Sequence, residues 1–275
     1  MSRVQVITDS TAYIPKEYIK ENEIEVVPLS VELCGEVQKE GFPGEFDDFF
    51  YKLENTKDYP KTSQPAVGEF IEAYERAFKR GDEIVAIIFS SKLSGAYNSA
   101  CTAANMLNSD KITVIDTESA VGNLKVLVET AVDLSKQNAS RQEIVEAIKN
   151  VRENMSINLT VESLEYLKRG GRLSNVEAVI GTLLNIKPII GLIEGKLIAT
   201  EKIRGKKKAI NNMIDKVPDH VKKISIGHVQ NIDEALELKS ILETKFSNAR
   251  ITIDEIGPVI GAHLGPKAIG ICSSW

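Results

Sequence analysis

The sequence predicts an α/β fold in two parts: a parallel sheet covered by helices over residues 1–155, and a second α/β unit with a mixed sheet over residues 156–275. Three observations predict it. Short β-branched runs alternate with longer segments of helical periodicity through the first half, the pattern of parallel strands joined by crossover helices. Apolar residues make up 43% of the chain and aromatics only 6%. That aliphatic excess suits a parallel sheet buried on both faces. Near residue 155 the pattern changes, and Glu194-Gly195 gives the signal of a tight hairpin between two strands.

In chain order, residues 4–8, 25–33, 84–89 and 112–116 read as strands. A helix is expected at 67–80, where Val67, Phe70, Ile71, Tyr74 and Phe78 recur at a spacing of three to four. Further helices are expected at 95–107, 123–137 and 141–154. Residues 35–60 carry Gly41, Pro43, Gly44 and Pro60 among acidic and aromatic residues and read as an excursion from the sheet, a small flap. In the second half, strands are expected at 157–162, 189–193, 197–202, 224–229, 251–256 and 269–272, with helices at 175–184, 206–217 and 232–246.

Composition narrows the function classes. The formal charge is −5, which offers no general attraction to nucleic acid. That total conceals an asymmetry: residues 1–60 hold 13 acidic and 6 basic residues, whereas 163–210 hold 4 acidic and 10 basic. Such a run is usually a plain solvated face; on an acidic protein it also suits docking of a phosphate or an acidic partner. Cys34, Cys101 and Cys272 are odd in number and lack metal-ligand spacing, so neither a disulfide framework nor a zinc site is indicated. The start, MSRVQVITDS, has no signal-peptide core, and the apolar stretch 178–193 is interrupted by Asn185, Lys187 and Pro188. A cytoplasmic location is expected.

Ligands of open parallel sheets gather at the carboxyl ends of the strands. That rule selects Asp9-Ser10-Thr11, Thr117-Glu118-Ser119 and the segment from Ser90 to Gly95. The last opens a helix with free amides and several hydroxyls, which suits an oxygen-rich anion; Ser94 also suits a plain N-cap. Thr62-Ser63-Gln64-Pro65 supplies two more hydroxyls at a helix entrance, or a simple cap and turn. Gly-x-Ser-x-Gly, GxxxxGK[ST] and a strand-linked GxGxxG are all absent, so autonomous ATP chemistry is poorly supported. The run from Leu167 to Ser174, with Gly170-Gly171-Arg172, ends one helical stretch and opens another. Finally, Gly257 to Pro266 packs three glycines and two prolines around His263 in what reads as a strand-end loop. His263 suits a structural histidine satisfied by backbone, yet of His220, His228 and His263 it is best placed for proton transfer or carboxylate recognition, with His228 second.

These segments, Asp9-Ser10-Thr11-Ala12, Thr62-Ser63-Gln64-Pro65, Ser90 to Tyr97, Leu167 to Ser174 and Gly257 to Pro266, resemble the DegV family in kind and in order across almost the whole chain. The resemblance implies a two-domain α/β protein that holds a long-chain fatty acid in an apolar tunnel between domains. It implies no catalysis by the chain itself and no cofactor or metal, but a role as the fatty-acid-binding subunit of a fatty acid kinase. Such a subunit presents the carboxylate to a separate ATP-binding subunit. Carried over by motif, Thr62, Ser94 and the Gly95 amide would bind the carboxylate with His263 beside them and Ser63 nearby, while Arg172 and Arg204 would engage the kinase subunit or the acyl phosphate. Transient membrane contact is compatible with this role. The family commonly has threonine and glycine where Leu264 and Lys267 stand, and Thr-Arg where Gly205-Lys206 follow Arg204. Two other readings remain: a serine-dependent lipid esterase with Ser94 as nucleophile and His263 as base, or a stand-alone lipid carrier or sensor.

Overall fold

The computed structural model describes residues 3–174 and 186–275, so the helix expected at 175–184 lies outside the described residues. Strands β1 (Val4–Asp9), β2 (Glu25–Val27), β6 (Glu83–Ile88) and β7 (Ile112–Asp116) form a parallel sheet in the order β2-β1-β6-β7. Every residue of β1 is buried, the polar Gln5, Thr8 and Asp9 along with Val4, Val6 and Ile7. Helices α3 (Val67–Lys79) and α4 (Ala96–Leu107) cover one face, where Phe70, Tyr74 and Ala100 pack on Ile84 and Ile88. On the other face lie α5 (Val121–Lys136) and α6 (Arg141–Arg152).

The second sheet begins with β8 (Met155–Thr160) and adds β9 (Ile186–Ile193), β10 (Lys196–Arg204), β11 (Lys223–His228), β12 (Arg250–Glu255) and β13 (Ile269–Ser274). Its order is β10-β9-β8-β13-β11-β12, and it is mixed: β11 and β12 run parallel, while the other neighbours are antiparallel. Glu194 and Gly195, both with left-handed φ (48° and 76°), make the hairpin between β9 and β10. Helices α8 (Lys206–Asp215) and α9 (Ile232–Lys245) pack on one face through Met213 and Leu238, against Ile224, Ile226 and Ile271. Alternation along β13 sends Ile269 and Ile271 to that face and leaves Gly270 and Cys272 facing inwards.

The inward face meets α5, which therefore touches both sheets. Gly122 permits the contact, since a Cβ there would lie 2.2 Å from Ser225 Oγ. Lys125 of α5 pairs with the buried Asp254 of β12 at 2.6 Å. The largest apolar cluster runs through this layer, joining Val85 and Ile87 of the first sheet to Ile157 and Leu159 of the second.

Two expectations change. The strand expected at 25–33 is two strands, because Pro28 has no N–H to continue the ladder: β2 stays with β1, while β3 (Ser30–Leu33) leaves for a separate antiparallel sheet. That sheet has the order β4-β3-β5, with β4 (Glu36–Lys39) and β5 (Lys61–Ser63), and with α2 (Asp47–Glu54) it forms the flap. The glycine-rich run around His263 is not a loop but a helix, α10 (Pro258–Leu264), opened by Pro258 in the first turn and ended at Gly265. Two short helices, α1 (Lys16–Glu21) and α7 (Glu165–Gly170), and a single 3-10 turn at Ser10–Ala12 complete the described elements. Among the described residues, no helix is long and apolar enough to cross a membrane.

Candidate functional site

The carboxyl end of β6, the start of α5, the inner face of the second sheet, β5 and α10 enclose a cavity of about 950 Å³, counting its open mouth. Its depth is apolar: Val121, Leu159, Leu197 and Ile256 line it, and Gly227 and Gly270, direct partners across β11 and β13, leave the floor without side chains. The polar lining groups, Thr62, Ser63, Gln64, Ser94, Arg172 and His263, are all half-buried or exposed, so they gather at the mouth. Val121 adopts φ 51° there, a strained conformation for a β-branched residue.

Thr62 and His263 are 201 residues apart in sequence and meet at 2.8 Å, Oγ1 to Nε2. On its other side the ring packs on Gly170, where a Cβ would lie 2.1 Å from Nδ1. Nδ1 is buried with no hydrogen-bond partner among the described residues. An unpaired N–H is the rarer orphan, so the ring proton is assigned to Nε2, which donates it to Thr62 Oγ1. The Thr62 hydroxyl hydrogen is then free for an acceptor in the cavity. Burial, and next the nearby Arg172 cation, push the His263 pKa down to about 4, so the ring is neutral near pH 7.

Ser94 is arranged in the same sense. Its Oγ accepts the Ala96 N–H at 3.2 Å, which leaves its own hydrogen to donate. Gly95 sits at the N-cap position of α4 with no side-chain cap. The Gln64 carboxamide packs on it, within 2.8 Å of where a Cβ would be. Arg172 donates to the carbonyls of Gly170 at 2.5 Å and Leu93 at 3.4 Å, and it has no acidic partner among the described residues. The mouth thus presents two hydroxyl donors, a helix start and one cation to an anion. A serine–histidine dyad is not what this geometry favours: Nε2 is taken by Thr62, no carboxylate among the described residues orients Nδ1, and a ring titrating near pH 4 is a weak base.

Of the residues expected from sequence, Thr62, Ser63, Ser94, Gly95, Arg172 and His263 line one cavity. Arg204 does not: it is exposed at the end of β10. The basic segment is also less free than its composition implies, because Lys187 pairs with Glu162 at 2.9 Å and Lys206 with Glu234 at 2.8 Å. His228 is a buried core histidine whose Nδ1 accepts the Asn231 N–H, and the exposed His220 lies edge-on to Trp275. Asp9 accepts from Phe89 N, Thr11 N and Thr11 Oγ1, tying the end of β1 to the end of β6. Thr117, Glu118 and Ser119 line a separate polar cleft. Sequence reasoning passed over Gln64 and Gly170. Both stand inside motifs it had marked, and only the fold shows which neighbour each one serves.

Fold and site together define a class: an α/β protein with two sheets on a shared helix and an apolar cavity whose polar groups all gather at its mouth. The chain belongs to the DegV family, since the family model described as "Uncharacterised protein, DegV family" matches residues 3–274. It is 36% identical over 281 residues to a DegV domain-containing protein of Halalkalibacterium halodurans, covering 100% of this chain and 99% of that protein. Among solved structures, it is similar to DegV of Bacillus subtilis, described as a fatty acid binding protein, with TM-score 0.89, 32% identity and 100% of both chains covered. A fatty acid binding DegV family protein of Streptococcus agalactiae gives TM-score 0.90 and 27% identity, covering 100% of this chain and 99% of that one.

Proposed function

We propose that the protein binds a long-chain fatty acid and presents its carboxylate to a separate ATP-dependent kinase subunit for acyl-phosphate formation. The observation that carries this reading is the segregation of the cavity, apolar throughout its depth and polar at its mouth. The similar proteins of B. subtilis and S. agalactiae, described as fatty acid binding, support the fatty-acid-binding part of it.

The energetics agree. Burying an acyl chain is favourable by about 0.8 kcal/mol per CH₂, so a chain of about 16 carbons supplies on the order of 10 kcal/mol before ordering costs. Affinity comes from the tail. The carboxylate is held by Thr62, Ser94 and the Gly95 amide with His263 behind Thr62, and it remains nucleophilic because no bidentate arginine pair neutralises it. In the kinase reaction a carboxylate oxygen attacks the γ-phosphorus of ATP and ADP leaves. The partner supplies the nucleotide, the metal and most catalytic groups; this chain contributes no cofactor and no intrinsic catalysis.

In this reading residues 1–155 and 156–275 act as two domains with the acyl chain between them. Arg172 at the mouth and Arg204 beyond it belong to the face that docks the kinase, and Ser63 assists at the rim. The setting is cytoplasmic phospholipid metabolism, with membrane contact only in passing. The test reconstitutes the chain with an ATP-dependent fatty acid kinase subunit and palmitate. Arg204→Glu, outside the cavity, is expected to impair acyl-phosphate formation while palmitate binding stays within a few-fold of wild type. Normal turnover by that variant would refute the docking role, and failure of the wild-type chain to bind palmitate would refute the reading as a whole.

A further inference from the structure

The three-stranded sheet is fastened to α10 at two points. One is the Thr62–His263 contact from β5. The other starts at Glu40, the residue after β4, whose Oε1 accepts the Val259 N–H at 2.8 Å. Val259 and His263 are four residues apart, so one turn of α10 carries both fastenings. Glu40 does not line the cavity and is only 4% exposed.

The surroundings of Glu40 are built to feed hydrogens into it. Ser10 Oγ donates to Oε2 at 2.6 Å, and Tyr13 OH to Oε1 at 3.2 Å. Each hydroxyl has its own acceptor site filled by a backbone donor, Leu29 N on Ser10 at 3.1 Å and Ile260 N on Tyr13 at 3.3 Å. Three donors therefore converge on a group that must accept only, as an ionised carboxylate does. No cation among the described residues pairs with it; the titratable groups that face it are Asp9 and Tyr13. Gly257 is part of the same fit, because a Cβ there would stand 2.8 Å from Glu40 Oε1 and 2.7 Å from Phe46.

We propose that Glu40 is a positioning residue for the carboxylate-binding pair: it locks the start of α10 to the three-stranded sheet and so holds His263 Nε2 in register with Thr62 Oγ1. This rests on the fatty-acid-binding reading. Protonating Glu40 places a fourth hydrogen among three and loosens the lock. Burial raises its pKa to about 7, whereas His263 titrates near 4, so the loosening occurs where the ring itself does not change charge.

The experiment measures affinity for dodecyl sulfonate, whose head group stays anionic, from about pH 6 to about pH 8 in wild type and Glu40→Gln. Wild-type affinity is expected to rise several-fold with a midpoint near 7. Glu40→Gln is expected to bind about tenfold more weakly at the upper end, the scale of one hydrogen bond to a charged group, with a flat profile. Wild-type affinity and profile in the variant would overturn the proposal. Should Glu40→Gln fail to fold, Tyr13→Phe removes one donor and must move the midpoint upwards; an unmoved midpoint overturns it equally. The ring ¹⁵N shifts of His263 in the ligand-free protein give an independent readout. They are expected to follow the same midpoint, to move upwards with it in Tyr13→Phe and to lose it in Glu40→Gln; ring shifts of the wild type that stay flat through pH 7 would overturn it. A wild type that binds no sulfonate refutes the binding reading, and the ring shifts still decide the role of Glu40.

Discussion

Gly170 stands so close to His263 that a Cβ at position 170 would lie 2.1 Å from the ring Nδ1, whereas its neighbour Gly171 has open space at the same point and a φ of 66°. The two glycines of one motif thus serve different ends. The first admits the ring that holds Thr62; the second closes α7 in a left-handed conformation.

Substitution separates them. Gly170→Ala must displace His263 and is expected to cost about 2 kcal/mol of stability, together with a weakening of palmitate binding. Gly171→Ala is expected to cost about 1 kcal/mol and to leave binding near wild type. Urea unfolding and palmitate titration on both variants check this; equal effects on binding would show that the Gly170–His263 contact is not what the site needs.

Two buried groups give stability opposite pH slopes. The His263 pKa is lowered from 6.5 to about 4, so its share of stability is complete above about pH 6.5 and lost as pH falls towards 4. The Glu40 pKa is raised from 4.5 to about 7, so its share is complete below about pH 4.5 and lost as pH rises towards 7. Each shift corresponds to about 3 kcal/mol, and the slopes oppose each other between about pH 4.5 and 6.5. Relative to wild type, His263→Gln is expected to lose stability more steeply as pH rises through that window, and Glu40→Gln to gain it. Unfolding curves of both variants that run parallel to wild type would contradict the assignment.

Lys267 adopts φ 62°, a left-handed conformation that favours glycine. A side chain in that region costs about 1–2 kcal/mol, partly offset by the greater freedom of an unfolded glycine. Lys267→Gly is therefore expected to raise stability by up to about 1 kcal/mol, seen as a higher urea midpoint at unchanged slope. A lowered midpoint would contradict the backbone argument.

The glycine floor of the cavity bears on chain length. Gly227 already sits so that a Cβ would be 3.1 Å from Ile256 Cδ1, and the larger side chain of valine must point into the space beside Val121. Gly227→Val is expected to shift the preferred ligand towards shorter acyl chains, read by competition between laurate and palmitate. An unchanged preference would place the acyl tail elsewhere.

Much of this was legible in the sequence. β6 announces itself because a strand buried on both faces needs no alternation, and the Ser94 segment marks itself by following such a strand. The break at Pro28 was missed because Val27 and Leu29 continue the apolar run on either side of it. α10 was hidden by Gly257, Gly261 and Gly265, which read as a loop yet serve close packing: a Cβ at Gly261 would lie 2.7 Å from Phe50, and one at Gly257 as near to Phe46. Glu40 follows a strand that is exposed throughout, Glu-Val-Gln-Lys, so nothing local tells that its carboxylate is buried. The contacts Thr62–His263, Gly170–His263 and Glu40–Val259 join distant parts of the chain, and only the assembled fold brings them together.

The most direct test of fatty acid binding is native mass spectrometry of the purified full chain, with extraction and identification of any bound lipid. One long-chain fatty acid per chain is expected, with occupancy falling about tenfold or more in a Thr62→Ala, Ser94→Ala double variant. A wild-type chain that carries no fatty acid and takes up none when palmitate is added would contradict the proposed function.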